Sequence, residues 1–228
     1  MKVVISYGGS VLVPDKPNLE LIRNLCDMII KLDHRFWIVV GGGKVARDYI
    51  NAARQLNAPD TYCDEIGIDI SRVNARLLIS SLGDLTHPEP ALNFKEAYLY
   101  SVEKNIVVMG GTHPGHTTDA VAAMLGDYIK ADLIVIATSV DGVYSKDPKK
   151  YPDAERYETL KASDLVGISM NSDMRAGYIG VVDPLAAKII ERSNIKTVIL
   201  DGSDIDNLFK CLTKKKFRGT IIIPDKED

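Results

Sequence analysis

The chain has 228 residues, enough to bury a full core as one large domain or as two closely joined lobes. Apolar residues make up 46% of it and aromatics only 7%, an aliphatic balance that suits an α/β enzyme better than an all-β sandwich or a disordered chain. A net charge of −3, with acids and bases interspersed, excludes a nucleic-acid surface as the organising feature.

The chain opens with "KVVISY", a short β-branched run that stops at Gly8-Gly9, as a buried strand does. The opening is too short for a signal peptide, and no other run is long enough to cross a bilayer. Leu19 to Leu32 carries a helical pattern, with Leu21, Ile22, Leu25 and Ile29 on one face. "FWIVV" reads as the second strand and ends at Gly41-Gly42-Gly43. A helix is expected from about Lys44 to Leu56, with Val45, Ala46, Tyr49 and Ile50 at helical spacing. Asp64 then precedes a long helical stretch in which Ile66, Ile70, Val73 and Leu77 predict the buried stripe.

"NIVVMGG" is the third strand. Thr117 or Thr118 caps the helix after it, whose expected core face is Ala120, Val121, Met124, Leu125 and Tyr128. "DLIVIATSV" is the fourth strand, followed by the polar loop "DGVYSKDPKKYPD". Asp183-Pro184 reads as an N-cap with a first-turn proline, and Leu185, Ala186, Ile189 and Ile190 form the stripe behind it. "KTVIL", a helix with Ile205, Leu208, Phe209 and Leu212, and "GTIII" complete the chain. The alternation predicts a three-layer α/β fold: an open, mainly parallel sheet with helices on both faces. A division into lobes falls near residue 130, giving 1–130 and 131–228 on one continuous sheet.

The run Lys214–Lys216 reads as a solvated helix end, where cations suit the helix dipole. Cys26, Cys63 and Cys211 are odd in number and far apart, without a CxxC spacing. They are expected to be reduced thiols of a cytoplasmic protein rather than disulfides or zinc ligands.

Three strands end in glycine pairs or triplets: Gly8-Gly9, Gly41-Gly42-Gly43 and Gly110-Gly111. Ligands of open α/β sheets collect at the carboxyl ends of strands, and glycine lets backbone N–H groups reach phosphate oxygens. One such turn is ordinary; three in one chain favour phosphate binding. The spacing fits neither a Walker A loop nor a GxGxxG fingerprint. In "GGTHPGHTTD", His113 and His116 invite a metal reading. Pro114-Gly115 breaks the helix on which i, i+3 ligands would converge, and no metal site is expected.

These segments, "VVISYGGSVL", "VVGGGKVARDYI", "GGTHPGHTTDAVAA", "ADLIVIATSVDGVYSKDPKK" and "VVDPLAAKII", resemble the amino-acid-kinase superfamily in order and spacing, and specifically its archaeal-type uridylate (UMP) kinases. The resemblance covers nearly the whole chain. It implies transfer of the ATP γ-phosphoryl to UMP, with Mg²⁺, in a homohexamer. It also implies an acceptor-binding N-terminal lobe and an ATP-binding C-terminal lobe. Carried over by position, it assigns the ATP phosphates to Gly9 and Ser10, with Gly43 and Arg47 nearby, and adenosine to Thr138, Ser139, Tyr144 and Asp147. It assigns the acceptor phosphate to Gly42 and the ribose hydroxyls of UMP to Asp64. Thr112, His113, Pro114, Gly115, His116, Thr117 and Thr118 would wrap the rest of the acceptor.

Arg47, Asp119 and Asp183 are the expected catalytic residues. An exposed helix arginine is the plain alternative for Arg47, which the glycines before it disfavour, and from the residues alone Asp64, Asp119 and Asp183 are equally helix-cap or first-turn carboxylates. Many members of the superfamily carry a lysine where this chain has Ser6; Lys16, Lys44, Lys188, Arg47 or Mg²⁺ are the candidates to replace its charge. Ser6 also keeps open a nucleotide-binding protein without turnover, and the glycine turns alone admit isopentenyl phosphate, carbamate or acetylglutamate as acceptor. The segment from Gly167 to Gly180 is expected to be an irregular loop.

Overall fold

Seven apolar runs become the strands β1 (Lys2–Tyr7), β2 (Arg35–Val40), β3 (Ile106–Met109), β4 (Leu133–Thr138), β5 (Thr159–Lys161), β6 (Thr197–Asp201) and β7 (Thr220–Ile223). They form one sheet in the order β3-β2-β1-β4-β6-β7-β5, parallel throughout except for the β6–β7 pair. The computed structural model describes every residue except 147, 149, 173–180 and 226–228. The helices are α1 (Gly9–Leu12), α2 (Leu19–Ile30), α3 (Gly43–Gln55), α4 (Asp60–Leu82), α5 (Phe94–Glu103), α6 (Thr118–Ile129), α7 (Ala162–Ser172), α8 (Pro184–Ser193) and α9 (Ile205–Leu212).

Successive strand residues point to opposite faces, so each strand feeds two cores. Val3, Ile5, Phe36, Ile38 and Val135 pack with α2, α4 and α9 on one side. Val4, Trp37, Val39, Ile134 and Ile136 pack with α6 and α8 on the other. Burial on both faces is why the central strands read as unbroken apolar runs rather than alternating ones.

The α4 stripe differs from expectation. Val73 is 56% exposed and Ile66, Ile70 and Leu77 only half-buried, whereas Cys63, Ile68, Ser71, Asn74, Ala75, Leu78 and Ile79 face inward. Hydrogen bonding to the glycine turns sets this rotation. Ser71 Oγ accepts from Gly111 N–H at 2.7 Å, and Asn74 Nδ2 donates to the carbonyls of Gly41 and Gly42 at 2.9 and 3.1 Å. Buried backbone groups at strand ends need partners, and α4 turns two polar residues inward to supply them. Two further residues expected in buried stripes face solvent, Tyr128 on α6 (53% exposed) and Leu185 on α8 (40%). Buried alanines take their place, Ala122 and Ala123 on α6 and Ala187 on α8, and these small side chains let the two helices pack closely.

The sequence reading lacked α1, α5, α7 and β5. It also placed an irregular loop from Gly167 to Gly180; residues 167–172 instead lie in α7, and 173–180 fall outside the described residues. Among the described residues no helix is long and apolar enough to cross a membrane.

Candidate active site

The strand order reverses at β1, which has β2 on one side and β4 on the other, so a crevice opens beyond its carboxyl end. The first two glycine turns meet there. A Cβ on Gly9 would lie 2.2 Å from the Gly43 nitrogen, and Gly43 has φ +68° with a Cβ position 2.5 Å from the Gly9 carbonyl oxygen. Only glycine tolerates both the contact and the left-handed backbone. These two residues therefore lock the β1 and β2 turns together, in addition to baring their amides.

On the β2–β3 side lies a cleft of about 260 Å³. Its lining brings together the sequence-predicted Gly42, Asp64, His113, Gly115, His116, Thr117 and Thr118. Asp64 does not cap α4: Pro59 occupies the N-cap position and Asp64 sits one turn further in. From there its carboxylate Oδ2 accepts a hydrogen bond from the Gly115 N–H at 2.9 Å. A long helix thus holds the "THPGH" turn in place. The turn has its own bond from His116 N–H to the His113 carbonyl at 3.3 Å, and Gly115 at φ +80° makes it possible. Thr112 Oγ1 and His116 Nδ1 are buried without a protein partner, as polar atoms are where a polar ligand supplies the missing contacts. Pro114 and Thr112 do not line the cleft, while Ile50, Gly67, Ile68, Ser71 and Gly111 do. Gly67, Ile68 and Ser71 were missed because they belong to the inward face of α4, which periodicity misassigned; Ile50 and Gly111 were read only as a helix-face residue and a strand-end glycine. The two imidazoles lie edge to face at 6.4 Å, and no cluster of three His, Cys, Asp or Glu that could hold a metal occurs among the described residues.

Two carboxylates stand at the crevice itself. Thr117 caps α6, its Oγ1 accepting from Ala120 N–H at 3.1 Å, which places Asp119 in the first turn. The Ser6 hydroxyl, on β1, donates to Asp119 Oδ1 at 2.6 Å. Burial pushes the Asp119 carboxyl up to about 6; the Ser6 hydrogen bond pulls it down and the nearby Asp183 charge pushes it up further. Asp183 caps α8 through Oδ1, which accepts from Ala186 N–H at 3.0 Å, while its Oδ2 accepts from the Thr117 hydroxyl. Asp183 thus caps α8 and Asp119 sits in the first turn of α6, the structural roles weighed for both. The Ser6–Asp119 and Thr117–Asp183 bonds tie β1 to α6 and α6 to α8.

On the β4–β6 side a second cleft of about 380 Å³ is lined by Ser139, Val140, Asp141, Pro148, Asp201, Asp204, Asn207 and Arg218. Of the predicted donor-side residues, Ser139 lines it, and Thr138 ends the adjoining β4. Tyr144 reaches it indirectly, donating to Asp141 Oδ1 at 2.8 Å. Burial alone would raise the Asp141 carboxyl, but the Tyr144 hydroxyl and the Arg218 guanidinium outweigh it and hold it below the usual range. Asp141 and Arg218 carried no sequence signal, since they lie 77 positions apart. Asp147 falls outside the described residues. Gly9 is buried at the start of α1 and Ser10 beside it is exposed. Arg47 is exposed on α3, one turn beyond Gly43. Of the cations weighed against Ser6, Lys44 pairs with Asp15 and Asp48 at 3.3 Å, and Lys188 with Glu191 at 2.9 Å.

Comparison with known proteins gives a consistent match. Residues 1–201 match the model of the amino acid kinase family. The chain is 47% identical to a uridylate kinase of Thermococcus sibiricus and 48% identical to one of Pyrococcus abyssi. Each alignment covers 98% of this chain and all of the relative. Among solved structures, uridylate kinase from Archaeoglobus fulgidus superposes with a TM-score of 0.87 at 46% identity, covering 97% of this chain and all of that one.

Proposed function

The chain belongs to the amino acid kinase family, among its archaeal uridylate kinases, and from that premise we propose that it transfers the γ-phosphoryl group of ATP to the phosphate of UMP, giving UDP and ADP. The observation that carries this reading is the cleft at the "THPGH" turn. Asp64, the turn's backbone and the buried, unpartnered Nδ1 of His116 line it beside the crevice at β1. Residues 1–130 serve as the acceptor side and 131–228 as the donor side.

In the transfer a UMP phosphate oxygen bonds to the γ-phosphorus as the bond to the bridging oxygen of ADP breaks. The attacking oxygen is already ionised at neutral pH, so no general base is required and no proton moves. Catalysis rests on positioning and on neutralising charge over the transferred oxygens. Amides of Gly9, Ser10 and Gly43 hold the donor phosphates, Gly42 meets the acceptor phosphate, and Arg47 bridges phosphates from α3. Thr138, Ser139, Tyr144 and Asp147 hold adenosine. Asp64 binds the ribose hydroxyls with the carboxylate oxygen that Gly115 leaves free, while Thr117 and Thr118 close on the nucleotide.

Asp119 and Asp183 are the residues that would hold Mg²⁺. Two oxygen ligands of hard character, without a third protein ligand, fit an ion that takes one or two carboxylates and completes its shell with phosphates and water. Bound there, it supplies charge neutralisation on the phosphates, which the hydroxyl of Ser6 cannot. The exposed Val73 and Tyr62 on α4, with Tyr49 on α3, support assembly into a homohexamer. The activity places the protein in pyrimidine nucleotide synthesis, and three buried free cysteines suit a reducing cytoplasm.

An acceptor panel tests the proposal. With ATP and Mg²⁺, UMP should yield UDP, with CMP and AMP much poorer acceptors and isopentenyl phosphate, carbamate and N-acetylglutamate inert. Turnover of one of the last three without UMP would move the chain to another branch of its family. Tight binding of UMP and ATP without product would make it a nucleotide-binding protein.

A further inference from the structure

At the opposite end of the sheet, where strands begin, lies a cavity of about 750 Å³ that phosphoryl transfer does not use. Its floor is apolar: Leu133 opens β4, Val198 lies in β6, Cys211 is in α9, and Phe217 lies beyond it; the first three are less than a tenth exposed. Its rim is cationic. Lys214 and Lys215 come from the segment after α9, and Lys196 from the loop before β6. None of these three makes an ion pair with a described carboxylate. Asp132, the one acid on the rim, accepts from the Lys2 N–H at 2.7 Å. Compensation of the α9 dipole accounts for Lys214 and Lys215. It does not account for Lys196, which belongs to another segment and whose charge reaches the floor, pulling down a Cys211 thiol that burial pushes up to about 12.

We propose that this cavity is a binding site for a small organic anion, whose acidic head pairs with Lys196, Lys214 and Lys215 and whose flat apolar body rests on Leu133, Val198 and Phe217. The volume falls within the usual range of small-molecule pockets, a few hundred to about 1,000 Å³. Convergence of lysines without carboxylate partners over an apolar floor, Lys215 also lying 5.5 Å over the Phe209 ring, favours an amphipathic anion over either a bare anion or an apolar molecule, since each alone would leave half the lining unmatched. With the chain at −3 overall, the positive rim is a local feature rather than a reflection of global charge.

The probe is 8-anilinonaphthalene-1-sulfonate, followed by fluorescence on the full chain with UMP and a non-hydrolysable ATP analogue saturating the kinase site. One saturable site per chain is expected, weakened tenfold or more by Lys196→Glu combined with Lys214→Glu, while UMP turnover without probe is unchanged. N-phenyl-1-naphthylamine, the same body without the sulfonate, should bind at least tenfold more weakly. Equal affinity in the charge-reversed variant, equal binding of the neutral analogue, or no saturable signal would each overturn the proposal.

Discussion

Asp119 shows how a single side chain couples stability to chemistry. Its carboxyl is pushed up to about 6 because burial and the Asp183 charge outweigh the Ser6 hydrogen bond. A raised carboxylate pKa means that the folded state holds a proton which the unfolded chain releases at lower pH. Stability is therefore lost as pH rises from the ordinary carboxylate range through about 6. Asp119→Asn should accordingly stabilise the fold at pH 8 by about 1–3 kcal/mol, a gain that fades toward pH 4 in denaturant titrations. The same change should lower kcat about 100-fold or more, since charge placed at the transition state is lost. In the metal-free protein, Ser6→Ala should move the Asp119 titration further upward, since the variant no longer favours the ionised form. The role proposed for Asp64 is in binding instead. Asp64→Ala removes a charge-assisted bond to the Gly115 N–H, of a kind worth about 1.5–3 kcal/mol, and should raise KM for UMP tenfold or more with a smaller change in kcat.

At the scale of elements, the glycine turns and the helix starts explain what could be read in advance. Gly9 and Gly43 were legible as turn residues, but their mutual contact was not, because it joins positions 34 apart across two strands. Gly9→Ala should therefore fail on stability as well as on turnover, lowering the melting temperature by several degrees, since a Cβ at 2.2 Å must push backbone against backbone. The Thr117 and Asp183 caps were visible from residue type and a following proline. So was a cap that the sequence reading passed over. Asn93 Oδ1 accepts from Glu96 N–H at 2.9 Å, and the Glu96 carboxylate accepts in return from the Asn93 side-chain amide and from the N–H of Leu92 just before the cap, a variant of the capping box at the start of α5. The rotation of α4 was not visible, because Ser71 and Asn74 face inward to satisfy carbonyl and amide groups of distant glycine turns. Apolar periodicity discounts polar residues whose partners it cannot locate.

Across the whole molecule, the same rotation leaves Val73 exposed and Ile66 and Ile70 half-buried on α4, the surface on which the proposed assembly would draw. Ile70→Asp with Val73→Asp should shift the assembly to smaller species by light scattering; an unchanged mass would place the interface elsewhere. The sheet order sets the larger design. Because β1 stands between β2 and β4, the proposed reaction has acceptor and donor approach its end from opposite sides and meet at Ser6, Asp119 and Asp183. That claim is tested most directly by following label from γ-³²P-ATP in the presence of UMP, in the wild type and in Asp119→Asn. Labelled UDP should form in the wild type and fall about 100-fold or more in the variant, while calorimetry shows UMP still bound. Absence of labelled UDP from the wild type, or transfer untouched by the substitution, would contradict it.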